Sequence, residues 1–498
     1  MRELQFNSRP RLLTAPVAAT AVASCLFAAV THAEPWIGPG DLALRHDLQQ
    51  LADAGALQPP SLSWPLPWSD IRRDADAADV ASLNPRLQSA LVRVRARAAL
   101  ETRTNDVAVG IEAGGTTDPW ALRSFEDSPR EEGELVAAAD WTGKRFAWKL
   151  SAGLAANPDD GQEFRPDGSY VAMSLGNWNL SAGYLDRWWG PGWEGSLILS
   201  NNARPLPSIG IDRNQATPFS WPVLRWLGPW RFSTFMGQFE SDRDYPEALL
   251  FGMRFESRPL PSLQIAASRS AQWCGEGRPC DLGTFGDLLT GNDNDQALAD
   301  QPGNQLAGFD ARWSWPAGRV PLALYAQAIG EDEAGFMPSK YLGLFGIEVW
   351  GQLGSHSWRT HVEYADTACD FPTSPPEFGC AYTNSIYTSG YRYRGRVLGH
   401  TIDADGESLG AGLLLVETSG NQWNLLARNV KLNRAGLAPE HSLADGPATV
   451  VDVTLSHGRT MAWGNIGVLL GYADVSGDGT VTMDEGARVS LTWRYDLR

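Results

Sequence analysis

At 498 residues the chain is long enough for two or three soluble domains, or for one large barrel with an appendage. Its 51 glycines, 32 prolines and 21 tryptophans, set against only 20% charged residues, favour many strands and turns. The net charge of −17 becomes −19 once the first 33 residues, which carry Arg2, Arg9, Arg11 and Glu3, are removed; that excludes nucleic acid as a natural partner, because holding phosphates needs a basic surface.

The N-terminus reads as a secretory signal over residues 1–33. Arg2, Arg9 and Arg11 precede an apolar run over 12–30, and Thr31-His32-Ala33 offers a small-residue cleavage site. Val22-Ala23-Ser24-Cys25 has the look of a lipoprotein box, but the apolar run continues past Cys25 and the small-residue site follows it. No apolar run of the length of a membrane-crossing helix, about 18 residues, recurs beyond the signal.

Residues 34–104 carry helical spacing and are expected to form a small periplasmic domain. Asp41 is placed to cap a helix whose Leu44, Leu48 and Leu51 share a face, and Gly55 suits its left-handed end. Trp64-Pro65-Leu66-Pro67-Trp68 then reads as an extended spacer. Asn84 and Pro85 start a second helix with a stripe of Leu87, Leu91, Val94 and Ala98. Arg86, Arg93, Arg95 and Arg97 on its other side are expected to be a solvated face, with anionic head groups or a periplasmic protein as the alternative contact. So small a bundle buries little by itself, and docking on a barrel end would help it.

From residue 105 to the end the period is two, as expected of an antiparallel transmembrane β-barrel. The last segment is the clearest, with Val489, Leu491, Trp493, Tyr495 and Leu497 on one face and Ser490, Thr492, Arg494 and Asp496 on the other. Tight turns such as Thr142-Gly143, Gly176-Asn177 and Pro316-Ala317-Gly318 alternate with long polar loops, the asymmetry of an outer-membrane barrel. Arg498 departs from that class, where an aromatic residue is usual. If the first strand rises from the periplasm, thirteen strands reach to about Tyr364 and five more begin near Leu409. The counts meet, at about eighteen strands, if residues 366–406 are one external excursion; two more strands in that stretch would give about twenty.

The densest stretch of binding chemistry follows the fifth strand: Arg187-Trp188-Trp189-Gly190-Pro191-Gly192-Trp193, then Asn201, Asn202 and Arg204. Tryptophan faces stack on sugar rings, amides bond hydroxyls and arginine pairs with uronate carboxylates. Tryptophans also gather at the membrane interface of any such barrel, and Gly-Pro-Gly also makes a tight loop, so both readings stand. Tyr382, Tyr387, Tyr391, Arg392, Tyr393, Arg394 and Arg396 offer an aromatic surface with cationic forks for an acidic polysaccharide, or an ordinary strand with arginines toward the lumen. Parity puts both stretches toward the outer side, as one site or as a plug of the mouth.

Four cysteines remain in the expected mature chain, and their spacing gives two short-range disulfides in an oxidising compartment, Cys274 with Cys280 and Cys369 with Cys380. Asp474, Asp478 and Glu485 follow the spacing of a calcium loop, but the flanks are strand-like and an ordinary external hairpin is the expectation; Asp403-Ala404-Asp405-Gly406 is a weaker case. No metal or cofactor is expected otherwise. No G-x-S-x-G or H-E-x-x-H occurs and the histidines are scattered, so no enzyme is expected.

The Arg187–Gly192 segment, the Ser196–Ser200 run and Asn202-Ala203-Arg204-Pro205, with Asp41–Leu48, Leu51–Gly55 and Trp64–Trp68 near the start and Tyr393-Arg394-Gly395-Arg396, Gly399 and His400 late in the chain, resemble the Wzi family of capsule-assembly outer-membrane proteins. The resemblance implies an outer-membrane barrel with a helical periplasmic domain, acting as a lectin for capsular polysaccharide. The expectation is therefore a monomeric, lipid-embedded protein that binds an exported acidic glycan through its external loops. The alternative is a passive diffusion channel for sugars or other small solutes.

Overall fold

The computed structural model describes residues 36–290, 303–316, 320–334 and 337–497, which lie in one compact unit. The signal segment, the Ala317-Gly318 turn and Arg498 lie outside the described residues. Eighteen antiparallel strands close on themselves among the described residues. In chain order they are β1 (Val107–Thr116), β2 (Gly133–Thr142), β3 (Phe146–Ala156), β4 (Tyr170–Leu175), β5 (Trp178–Tyr184), β6 (Pro207–Arg213), β7 (Trp230–Gln238), β8 (Leu249–Leu260) and β9 (Leu263–Trp273). The second half runs β10 (Gly303–Trp315), β11 (Leu322–Ala334), β12 (Met337–Leu353), β13 (His356–Asp366), β14 (Glu407–Val416), β15 (Gln422–Leu432), β16 (Ala448–Met461), β17 (Gly464–Gly477) and β18 (Gly486–Leu497). A two-residue piece, Phe164–Arg165, precedes β4 and pairs with the same neighbour, β3, so the two count as one interrupted strand. Closure runs from Ser490 opposite Thr116 to Leu497 opposite Val109.

Every strand joins its sequence neighbour, and the excursion between β13 and β14 spans 367–406 without contributing a barrel strand. The strand count is therefore eighteen rather than twenty, as turn parity requires. Alternation explains the two faces: on β18, Val489 and Leu491 are exposed on the outer wall while Arg488 and Ser490 are buried toward the lumen.

Among the described residues three α-helices precede the barrel: α1 (Leu42–Asp53), α2 (Trp68–Ala77) and α3 (Pro85–Glu101). The Asp41 carboxylate accepts from Leu44 N at 2.9 Å and Asn84 Oδ1 from Leu87 N at 3.1 Å, the two expected caps. Gly55, at φ +76°, ends α1 with its N–H on Ala52 O. The stretch 68–77, not anticipated as a separate helix, forms α2 directly after the Trp64–Trp68 spacer. The arginines of α3 are less solvated than expected. Arg93 grips Asp47 of α1 through two bonds of 2.8 and 2.7 Å, and Arg95 Nε donates to Ala75 O at 2.8 Å. A fourth helix, α4 (Leu282–Thr290), lies after β9 and sets Phe285 against Phe251 and Trp273 of the outer wall.

Helix α1 shows why a polar sequence can be buried. Its apolar stripe of Leu44, Leu48 and Leu51 joins Leu87, Leu91 and Val94 of α3 in the core. Its polar side, Arg45, His46, Asp47, Gln49, Gln50 and Asp53, is equally buried because it meets charged residues that alternate into the lumen. Arg312 of β10 holds Asp53 by two bonds of 2.7 and 2.8 Å, and Arg359 of β13 donates to His46 Nδ1 at 3.0 Å. The helices sit at the short-turn end of the barrel, where Arg93 also donates to Glu417 O of the β14–β15 turn at 3.2 Å.

Candidate functional site

The three dispersed motifs meet inside the barrel. Trp188 and Trp189 pair in antiparallel fashion with Trp64 and Ser63, so the segment after β5 forms a two-stranded ribbon with the spacer before α2. Leu197, Ile198 and Ser200 then meet the late motif: Ser200 N donates to Leu398 O at 2.8 Å, Tyr382 Oη to Leu197 O at 2.8 Å and Tyr391 Oη to Ile198 O at 3.0 Å. A fourth piece, the β1–β2 connection, enters as well: Phe125 packs edge-on against both Trp64 and Trp188, with ring centroids 5.2 Å apart in each case.

Charge on the barrel wall holds this plug. Glu363 of β13 accepts from the backbone N–H groups of Trp193, Glu194 and Gly195 at 2.7, 3.1 and 3.1 Å and from Tyr325 Oη at 2.7 Å, so one carboxylate fastens the whole turn. Glu348 of β12 accepts from Trp193 Nε1 at 2.9 Å and from Arg312 and Arg359 at 2.5 and 2.6 Å. Arg45 reaches from α1 to donate to Pro191 O and Gly192 O, both at 2.8 Å, with its guanidinium 4.2 Å from the ring centres of Phe125 and Trp193. Gln327 of β11 accepts from Leu197 N at 2.7 Å and donates to Trp189 O at 2.8 Å. Two small cavities remain here, of about 10 and 20 Å³, each close to the space of one water.

The residues expected to bind glycan are brought together, but most have no free face. Trp188, Trp189 and Trp193 are 1, 1 and 3% exposed. Phe125, Phe235 and the imidazole of His361 pack against their rings. Tyr391 is buried; Asn202 Nδ2 donates to Val397 O at 2.9 Å and Asn201 Nδ2 to Phe125 O at 3.4 Å. Arg204 is paired with Asp160 and Asp167, Arg392 with Asp403, and Arg396 donates to Ala121 O and Asn202 Oδ1. Arg187 lies 4.0 Å over Phe235 and donates to Leu185 O. Arg394 differs: at φ +49°, it occupies the tip of the turn between Arg392–Tyr393 and Arg396–Val397, half-exposed beside the exposed Gly395.

Both expected disulfides are formed, Cys274–Cys280 and Cys369–Cys380, each clipping a loop at the long-loop end. Asp474 lies on β17, Asp474, Asp478 and Glu485 are exposed, and Ala444 and Val481 pair across neighbouring loops. Among the described residues no group of His, Cys, Asp and Glu is gathered as a metal site.

The family model for the capsule assembly protein Wzi matches residues 103–476, most of the barrel. The chain belongs to the Wzi family. An uncharacterized 55.8 kDa protein in the cps region of Klebsiella pneumoniae is 32% identical over 398 residues, which is 79% of this chain and 77% of that relative. A solved Wzi from Escherichia coli, described as a carbohydrate-binding β-barrel of the outer membrane involved in group 1 capsule assembly, is 27% identical. It covers 92% of this chain and 99% of its own, with a TM-score of 0.82. This Wzi-family protein is accordingly an outer-membrane β-barrel, and its family is one of capsule assembly rather than of catalysis.

Reasoning on sequence alone missed Glu348, Glu363, Tyr325 and Gln327, which carry the plug from the wall. The signal was present, since each stands at an inward position of an alternating strand where a channel needs only generic polarity. It missed the β1–β2 connection because nothing in its spacing sets Phe125 apart from an ordinary loop residue.

Proposed function

We propose that this protein binds an exported acidic polysaccharide, capsular or closely related, on its long-loop face and holds it at the cell surface without chemical change. In this reading the long-loop end faces outward, and residues 34–104 form the periplasmic domain that closes the other end. The observation that carries it is the convergence of the family's motifs on one plug: the buried 187–205 segment, with its aromatics and ion pairs, fixes the loop around 382–405 from beneath, so the turns at 383–389 and 394–396 are presented in one shape. The segments folded into the barrel, held by Glu363, Glu348 and Gln327 of its wall, support a binding role over passage of solutes. The carbohydrate-binding relative from E. coli, matched over 92% of this chain, supports the same ligand class.

Within that surface Arg394 is assigned the direct contact, because it stands half-exposed at the turn tip, its guanidinium 5.4 Å from the Tyr393 ring, while Arg392 and Arg396 are committed to partners across the plug. Trp188, Trp189, Trp193, Asn201, Asn202, Arg204 and Tyr391 position that surface. Affinity then rests on many weak contacts repeated along a polymer.

The test is binding of purified, folded protein to the host's own surface polysaccharide, with a neutral glycan as control and salt varied. Selective binding that weakens as salt rises is expected. Folded protein that ignores the polysaccharide at low salt would overturn the reading.

A further inference from the structure

The β6–β7 connection breaks the rule of its end of the barrel. Among the described residues the other connections there are shorter, such as Gly354-Ser355 and Glu417-Thr418-Ser419-Gly420-Asn421. This one instead runs Thr217-Pro218-Phe219-Ser220-Trp221-Pro222-Val223-Leu224-Arg225-Trp226-Leu227, and Trp221, Val223 and Trp226 are 59, 60 and 63% exposed. Three large apolar side chains left outward on one loop call for a partner.

Its base is fixed. Ala216 N donates to both carboxylate oxygens of Asp70 of α2 at 3.0 and 2.8 Å, and Ser69 Oγ donates to Asn214 Oδ1 at 2.6 Å. From there the loop folds over the outside of the barrel. Phe219 stacks on Trp230 at 4.3 Å, and Trp230 on Phe255 at 5.8 Å. Both strand aromatics point outward, since the alternating Arg231 and Arg254 reach inward to Ser63. The loop is thus continuous with the wall that meets lipid. It also lies at the barrel end where Trp313, Trp315, Trp423 and Trp463 are exposed as an aromatic girdle. Arg213, buried 3.5 Å over Trp230, ties the loop down through Thr217 O and Trp230 O, and Arg225 is exposed within the loop, so a cation accompanies the aromatics as a phosphate-bearing layer requires.

We infer that residues 217–227 form a membrane anchor, with Trp221, Val223 and Trp226 seated at the headgroup–acyl boundary of the leaflet at the short-turn end and Arg225 meeting phospholipid phosphate. The occupant is phospholipid. Because the same loop is tied to α2 through Asp70, the anchor couples the docked helices to the bilayer surface.

The experiment uses the full chain, carrying Ser220→Cys labelled with an environment-sensitive fluorophore, in vesicles of phosphatidylethanolamine and phosphatidylglycerol. Ser419→Cys, on the polar turn at the same end, is the control; both native residues are exposed, so the labels leave the fold intact. The Ser220 label is expected to be quenched by headgroup-level nitroxide lipid about twofold or more beyond the Ser419 label, and more than by nitroxide near the chain ends. Equal quenching at both sites, by aqueous iodide alone, would place the loop in water and overturn the anchor. A Ser220 label shielded from lipid nitroxide and iodide alike would also overturn it, because the occupant would then be protein.

Discussion

Arg312, on the inner wall of the tenth strand, holds Asp53, the last residue of the first helix, by two parallel bonds while its Nε bonds Glu348 at 2.5 Å. The pair is 1 and 2% exposed, so neither charge has water as a substitute partner. Removing one member of a buried pair costs about 3–5 kcal/mol because the other is stranded. Asp53→Ala is therefore expected to free the N-terminal helices while the barrel stands. Limited trypsin digestion checks this: rapid loss of the helical segment from an otherwise resistant barrel is expected, and protection equal to that of the parent would refute it.

Glu363 gives the plug its second fastening. Glu363→Ala leaves three backbone N–H groups and the Tyr325 hydroxyl without their acceptor, at about 1–3 kcal/mol for each group left buried and unpaired. The turn at 190–195 should loosen, and planar-bilayer recordings should show open events in this variant that are rare in the parent. A parent barrel that already conducts steadily would show that the plug does not seal, and the channel reading would return.

The sequence carried the fold further than the site. Strand alternation and turn parity required the 366–406 excursion, because both properties are local and the barrel is assembled by neighbour pairing alone. Helix caps at Asp41 and Asn84 were legible for the same reason. The site was legible only as a set of motifs. Trp188 facing Trp64 joins residues more than a hundred positions apart, and whether a tryptophan lies on a surface or inside depends on what covers it, here Phe125, whose own loop carries no local signal. Composition signals that a residue is fit for stacking; burial decides whether it stacks on protein or on a ligand.

Acid should loosen the external excursion in a defined window. Burial by itself would raise the Asp403 carboxyl, but Arg392, bonded to it at 3.0 and 2.6 Å, holds it down to about 2. A carboxyl whose folded value lies below the ordinary one, about 3.9, stabilises above that ordinary value and loses its contribution as pH falls through the folded one. Hydrogen exchange at the amides of Ala404 and Ser442, which donate to this carboxylate, should stay slow at pH 5 and, corrected for intrinsic rate, speed up between about pH 4 and 2. In Asp403→Asn, exchange should be fast already at pH 5. A step at higher pH in the parent would point to another group.

Trp188 and Arg394 separate positioning from contact. Trp188→Ala removes a 1%-exposed ring wedged against Phe125 beside the ribbon with Trp64, and large-to-small changes of this kind cost about 3–5 kcal/mol. Arg394→Ala removes a half-exposed side chain from a turn tip and leaves the Arg392–Asp403 pair untouched. Both variants should retain less polysaccharide, for different reasons. In Trp188→Ala the loss should accompany a lower unfolding midpoint and faster proteolysis of 187–205. In Arg394→Ala it should appear at unchanged stability, together with a shallower dependence on salt, because one fewer cation meets the polymer. Arg394→Lys should recover part of the retention through charge alone. Retention and salt dependence unchanged in Arg394→Ala would move the contact surface away from the 392–397 turn.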